Sequence, residues 1–304
     1  MAAGKGDCVR AIIITGGDAG YFALMSECLG SLTAFCAANG VDRGALDLGL
    51  TTEQRQELAR AGIAVVAPGW DYPLSTFDAP PPDHFRAMTA RPHLPRHFPG
   101  YDLYMWLDAD CWVQDGAAVR LYFEAAAELG FAVTPEVDRA YGPFFQNLSL
   151  IDLLHRCYTT CYDDRTALAL THYPVINCGA FAALADAPHW AAWSAELGEV
   201  FARIRQPFFF AEQTALNKML RENRLPVAYL PARCNWMCHR AFPRLAADGA
   251  TFCEPHPPYG PLGILHLVAN TKDGEWTVFD LHGNEFRRSL RYSAAPPPAG
   301  IAPG

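Results

Sequence analysis

Val9-Arg10-Ala11-Ile12-Ile13-Ile14-Thr15-Gly16-Gly17-Asp18-Ala19-Gly20-Tyr21 reads as a strand running into a glycine-rich turn. Its apolar run does not alternate, as expected of a strand covered on both faces, and residues 21–39 then carry apolar side chains at helical spacing. Strand, glycine-rich turn and helix in that order open an α/β fold. Outward from there, residues 45–50 and 63–67 read as the next two strands. Thr51 and Gln54 form a capping box that starts a helix reaching Ala61. A proline-rich loop covers 68–83, a helix bent near Pro92 and Pro95 covers 84–97, and Asp102 to Leu107 makes a fourth strand. Strands and helices alternate this far, as in a mostly parallel sheet.

The later elements are less regular. Helices are expected at 116–129, 148–170, 189–204 and 211–223, and strands at 131–134, 175–177, 227–230 and 263–268. Residues 284–292 read as a terminal helix. Residues 293–304 contain four prolines, no charged side chain and no apolar period, so they read as a disordered tail.

The chain has 304 residues, 51% hydrophobic and only 18% charged, so it can bury a sizeable core. Its net charge of −8 offers duplex nucleic acid no broad basic face, and no nucleic-acid partner is expected. No apolar run approaches the roughly 18 residues of a membrane span. Arg287, Arg288 and Arg291 leave peripheral contact with an anionic membrane open, against a solvated helix face. The N-terminus lacks the pattern of a signal peptide, and the ten cysteines are scattered, so free thiols in the cytoplasm are expected. Cys157/Cys161 beside His155 and Cys234/Cys238 beside His239 have zinc-compatible spacing, although i,i+4 cysteines on a helix are ordinary small core residues.

Tyr104-Met105-Trp106-Leu107-Asp108-Ala109-Asp110 carries the strongest chemical signal. Two carboxylates just past the C-terminal end of a buried strand can share one hard cation, and oxygen ligands select Mg²⁺ or Mn²⁺. A haloacid-dehalogenase-type phosphatase would need a small residue at position 112, where Trp stands. A nicotinamide-binding domain would need GxGxxG after the first strand, and residues 15–20 do not supply it.

Five segments in this order resemble the GT-A fold nucleotide-sugar glycosyltransferases, closest to glycosyltransferase family 8. They are Thr15 to Tyr21, Arg91 to Asp110, Asn177 to Phe181, Glu212 to Asn217, and Leu265-His266 through Lys272. The resemblance spans 9–275. It implies a mostly parallel nucleotide-binding sheet flanked by helices, with a mixed acceptor-side half. The expected organisation is a single domain over 1–283, divided into a nucleotide-binding half (1–115) and an acceptor-side half (116–283), followed by an extension over 284–304.

The resemblance also implies roles. Thr15 and Asp18 would bond the base or ribose and Tyr21 would stack on the base, although Asp18 also suits a helix N-cap. Arg91 would approach the donor sugar and the carboxylates, with Arg86 as a rival. Asp108, Asp110 and His266 would hold Mn²⁺ or Mg²⁺, and Lys272 would pair with the donor phosphates. This sequence has Ala269 where the family has glycine, and Asp273-Gly274 in place of its Pro-Trp. Asn177, Glu212 and Gln213 would face the donor sugar at the reacting carbon, Glu212 standing for the family's aspartate. Residues 231–237 resemble a segment lining the site and take no catalytic role.

The expected activity is metal-dependent transfer of a hexose from a nucleoside-diphosphate sugar, a UDP-sugar, to a glycan, lipid-linked, protein or small-molecule acceptor. Retention of configuration is implied, and no carboxylate is placed as the general base that inversion needs. The alternatives are a sugar-1-phosphate nucleotidyltransferase, opposed by the lack of a cation in residues 15–21, and a catalytically silent GT-A-like scaffold.

Overall fold

β1 (Ala11–Gly17) leads into α1 (Phe22–Ser31) and α2 (Thr33–Asn39). Next come β2 (Asp42–Asp47), α3 (Thr52–Arg60), β3 (Ala64–Val66), α4 (Arg86–Ala90), α5 (Leu94–His97) and β4 (Leu103–Leu107). The second half holds β5 (Cys111–Val113), α6 (Gly116–Leu129), β6 (Phe131–Pro135), α7 (Leu148–Cys161), α8 (Asp164–Thr171), β7 (Ile176–Leu184), α9 (His189–Arg203) and α10 (Ala211–Glu222). Short strands follow: β8 (Ala228–Tyr229), β9 (Trp236–Met237), β10 (Arg244–Leu245), β11 (Phe252–Cys253), β12 (Ile264–His266), β13 (Trp276–Phe279) and β14 (Glu285–Arg288). The structure, a computed structural model, describes residues 9–142 and 148–293, and the side chains of all these but 148–150. Beyond Ser293, the expected tail lies outside the described residues.

The seven-stranded sheet has the order β3-β2-β1-β4-β7-β6-β8. β1 to β4 run parallel, β7 is antiparallel to both β4 and β6, and β8 is parallel to β6. Alternate β-strand side chains feed two cores. Ile12, Ile14, Tyr104, Trp106 and Phe181 pack under α9 and α10, while Ile13, Met105 and Leu107 pack against α1 and α6. All five residues of β4 are therefore buried. A smaller sheet, β5-β12-β9, has β12 antiparallel to β5 and parallel to β9.

Several expectations shift for identifiable reasons. The first helix breaks at Leu32, where the Ser31 hydroxyl donates to Cys28 O (2.6 Å) and competes with the helical ladder. β2 ends at Asp47, not Leu50, because the Asp47 carboxylate accepts from the Gly49 and Leu50 amides and turns the chain. The 84–97 segment is two short helices separated by a 3₁₀ turn at Arg91–His93, since Pro92 and Pro95 cannot continue an α ladder. β7 runs on to Leu184; its small residues from 178 to 183 give a weak strand signal that pairing on both sides overrides. Residues 284–292 contain no helix. β14 pairs with β13, Leu290 is buried, and Trp112 Nε1 donates to Leu290 O (2.9 Å). Arg291 is bound to Glu27 and Arg288 lies over the Phe252 ring, while Arg287 is exposed. No helix among the described residues is long and apolar enough to cross a membrane. The nine described cysteines are free and buried; Cys161, Cys234 and Cys238 lie in three different cores, and among the described residues neither pair belongs to a group of three metal ligands.

Candidate active site

The ladders decide which side chains meet. In the β4–β7 pair, Leu107 faces Ala180, and the Asp108 amide donates to Gly179 O (2.7 Å). In the β5–β12 pair, His266 faces Cys111, and the Leu267 amide donates to Asp110 O (2.9 Å). Two carboxylates from the end of β4 are thus set beside an imidazole from 156 residues later in the chain. His266 Nε2 lies 3.3 Å from Asp110 Oδ1 and 3.9 Å from Asp108 Oδ2.

The other oxygens of these carboxylates are engaged. Asp108 Oδ1 accepts from Arg91 Nη2 (2.6 Å) and Trp106 Nε1 (2.8 Å), while Asp110 Oδ2 accepts from Lys272 Nζ (2.7 Å). What remains is Asp108 Oδ2 and Asp110 Oδ1, each within 4 Å of His266 Nε2. Room for them depends on Gly179. A Cβ there would lie 2.4 Å from His266 Cε1 and 2.8 Å from Asp108 Oδ2. The Asn235 amide oxygen accepts from His266 Nδ1 (3.0 Å), which leaves Nε2 facing the carboxylates. Asn235 Nδ2 in turn donates to Asn177 Oδ1 (3.2 Å). Asn235 was given no role on sequence grounds. Its signal is its place directly before β9, the neighbour of β12.

Asp110, Cys111 and His266 offer ligand atoms within 4.8 Å of one another, the only such group of three among the described residues. Burial holds the Cys111 thiol well above its usual range, with Asp110 and Asp108 adding to the effect, so it stays protonated and ill suited to a hard cation. Asp108 and Asp110 bring the oxygen donors that a hard divalent cation accepts and His266 a nitrogen, although Asp108 stands outside the group within 4.8 Å. Burial disfavours charge on Asp110, but His266 and Lys272 outweigh it and keep this carboxyl below the usual range. For His266 and Lys272, burial lowers and Asp110 raises, and the net shift of each is upward.

Arg91 is the arginine of this site. It reaches Asp108, Glu212 Oε2 (2.8 Å) and Cys178 Sγ (3.2 Å), and stands 4.8 Å above the Trp106 ring. The rival, Arg86, pairs with Asp83 and lies over Trp70. Glu212, in the first turn of α10, is 1% exposed, and its Oε1 is a buried acceptor without a partner. Burial pushes this carboxyl up to about 7 although Arg91 pulls the other way. Gln213 Oε1 accepts from the Cys178 amide (3.3 Å), and Asn177 Oδ1 accepts from Gly179 N (2.8 Å).

Beside these groups lies a cavity of about 460 Å³, lined among others by Asp18, Tyr21, Arg91, Asp108, Asp110 and Lys272. Asn177, Glu212, Gln213 and His266 also line it. Asp18 Oδ1 accepts from the Gly20 and Tyr21 amides (2.9 and 3.0 Å), so it caps the turn and borders the cavity at once. Tyr21 is 43% exposed at the rim, and its hydroxyl accepts from Lys272 (3.1 Å). Thr15 is the exception. It is 1% exposed, turned toward Cys28 of α1, and the cavity begins at Gly16, so the expected bond from Thr15 to base or ribose is not available. Strand alternation explains this: the residue that faces α1 cannot also face the sheet's open end.

No family model and no curated protein matches the sequence. Among solved structures, the chain is similar to the galactosyltransferase LgtC in complex with donor and acceptor sugar analogues, with TM-score 0.55 and 17% identity over 86% of this chain and 88% of that one. It is similar to the bifunctional glycosyltransferase WbbM (TM-score 0.54, 14% identity), covering 78% of this chain and 41% of that one. It also matches the glycosyltransferase GlyE of Streptococcus pneumoniae TIGR4 (TM-score 0.50, 15% identity), covering 87% and 56%. At these identities the likeness is one of fold, and the chain has the GT-A fold of these glycosyltransferases.

Proposed function

We propose that the protein is a metal-dependent glycosyltransferase that moves a hexose from a nucleoside-diphosphate sugar, a UDP-sugar, to an acceptor hydroxyl with retention. The observation that carries this is the placing of Asp108 Oδ2 and Asp110 Oδ1, 3.9 and 3.3 Å from His266 Nε2, at the wall of the 460 Å³ cavity. The two carboxylates are the oxygen donors that hard divalent cations select. Asp108, Asp110 and His266 would hold Mn²⁺ or Mg²⁺, which would supply Lewis acidity toward the diphosphate leaving group. Arg91 and Trp106 fix the Asp108 carboxylate through Oδ1, and Asn235 fixes the imidazole. Lys272 brings a cation to the same rim for the phosphates, 5.0 Å from the centroid of the Tyr21 ring, whose other face would stack on the base. On the sugar side, Asn177, Glu212 and Gln213 line the cavity, where they would face the donor sugar at its reacting carbon. With the chain divided at 115/116, the first half would carry Asp18, Tyr21, Asp108 and Asp110 of the nucleotide site, and the second half would add His266 and Lys272 and form the acceptor side.

The test is calorimetric titration with UDP and GDP, each with and without Mn²⁺, on wild type and Asp110→Ala. The expected result is Mn²⁺-dependent UDP binding that the folded variant loses. Absence of binding by folded wild type at millimolar nucleotide would sink this reading.

A further inference from the structure

A second cavity of about 420 Å³ adjoins the first, and the two share Asn177, Phe210, Gln213 and Val268. Its apolar lining includes Leu153, Leu154 and Tyr158 of α7, Val175 before β7, and Met237 of β9. Polar side chains line it too, and of these Asn177 and Gln213 are shared with the donor cavity. Glu136 is held by Arg240 (2.6 Å) and accepts a longer bond from Asn177 Nδ2 (3.3 Å), which leaves its oxygens capacity to accept from a hydroxyl. A pocket with both apolar and polar lining fixes both the position and the orientation of its occupant.

We propose that this cavity binds the acceptor, and that the acceptor carries its hydroxyl groups on or beside a compact apolar group, aryl or alicyclic, which fills the wall formed by α7. The proposal rests on the transferase reading for its occupant, because a space open to the donor's reacting carbon is where a second reactant must sit. The walls argue the chemistry. The aliphatic part of the lining cannot satisfy sugar hydroxyls, which leaves those to Glu136 and the other polar lining groups, and a cavity of about 420 Å³ is too small for a long acyl or polyprenyl chain. In the transfer, the acceptor oxygen forms a bond to the anomeric carbon. The bond from that carbon to the diphosphate oxygen breaks, its electron pair leaves with the nucleoside diphosphate, and the acceptor's proton passes to that oxygen.

The test compares phenyl β-glucoside with methyl β-glucoside, which offer the same hydroxyls and differ in the apolar group. Binding to the full chain is measured by calorimetry with and without UDP and Mn²⁺, and transfer is measured with UDP-hexoses as donors. The phenyl compound should bind at least about tenfold more tightly, the gain expected from burying a ring. Leu153 is 43% exposed at the mouth, so Leu153→Asp should fold, as a thermal melt can verify, and should abolish the preference. Equal affinities, a preference for the methyl compound or a dodecyl chain, no binding of either glucoside, or a phenyl preference that survives Leu153→Asp would each overturn the proposal. Phenyl selectivity without any UDP binding would uphold the pocket while sinking the transferase reading.

Discussion

Glu212→Gln should gain stability relative to wild type as pH rises from acid to above neutral. The carboxyl is 1% exposed, and burial raises it from 4.5 to about 7 against the pull of Arg91. Between those two values the folded chain holds a proton that the unfolded chain has released. Stability therefore falls as pH rises through that window and levels off above it. At about 1.4 kcal/mol per pH unit, the loss specific to this carboxyl totals about 3 kcal/mol. Glutamine has nearly the same shape and does not titrate, and Arg91 keeps its bond to Asp108. Relative to wild type, the variant should gain about 3 kcal/mol between pH 4.5 and 8, whatever its constant offset. Other shifted carboxylates, such as Asp47 and Asp110, are common to both chains and drop out of the difference. Urea unfolding at half-unit pH steps, without added metal, measures it. A pH-independent offset, or a gain toward acid, would refute the claim that Glu212 is a desolvated carboxyl.

Gly179→Ala places a methyl 2.4 Å from His266 Cε1 and 2.8 Å from Asp108 Oδ2, and should abolish Mn²⁺-dependent UDP binding for about 1–3 kcal/mol of stability. Calorimetry paired with urea unfolding checks both, and unchanged binding would count against the cradle. Asn235→Ala should weaken Mn²⁺ binding by about 10- to 100-fold by freeing the His266 ring, and an unaltered titration would remove Asn235 from the site. Ala269→Gly should stabilise the chain by about 1 kcal/mol, because Ala269 holds φ 57° in the left-handed region that glycine enters without cost. An unfolding midpoint that stays or falls would contradict this.

Strand-turn-helix order and the Asp-Ala-Asp at the end of β4 were legible from local pattern alone, because burial on both faces writes a continuous apolar run and turn chemistry writes its own residues. The boundaries of α6 and the capping box of α3 follow from the same local rules. The departure at Ala269 was visible as a residue change, but its meaning was not: the backbone keeps the left-handed geometry a glycine would favour. The antiparallel course of β7, carried by alanines with little strand preference, came from its two neighbours in the sheet. The same holds for side-chain partnerships. Whether Arg86 or Arg91 meets Asp108, whether Thr15 faces the cavity, and that Asn235 steers His266 all depend on register between strands far apart in sequence. Local sequence specifies each element and its chemical equipment, and only the tertiary ladders decide which lone pairs end within a few ångströms of each other.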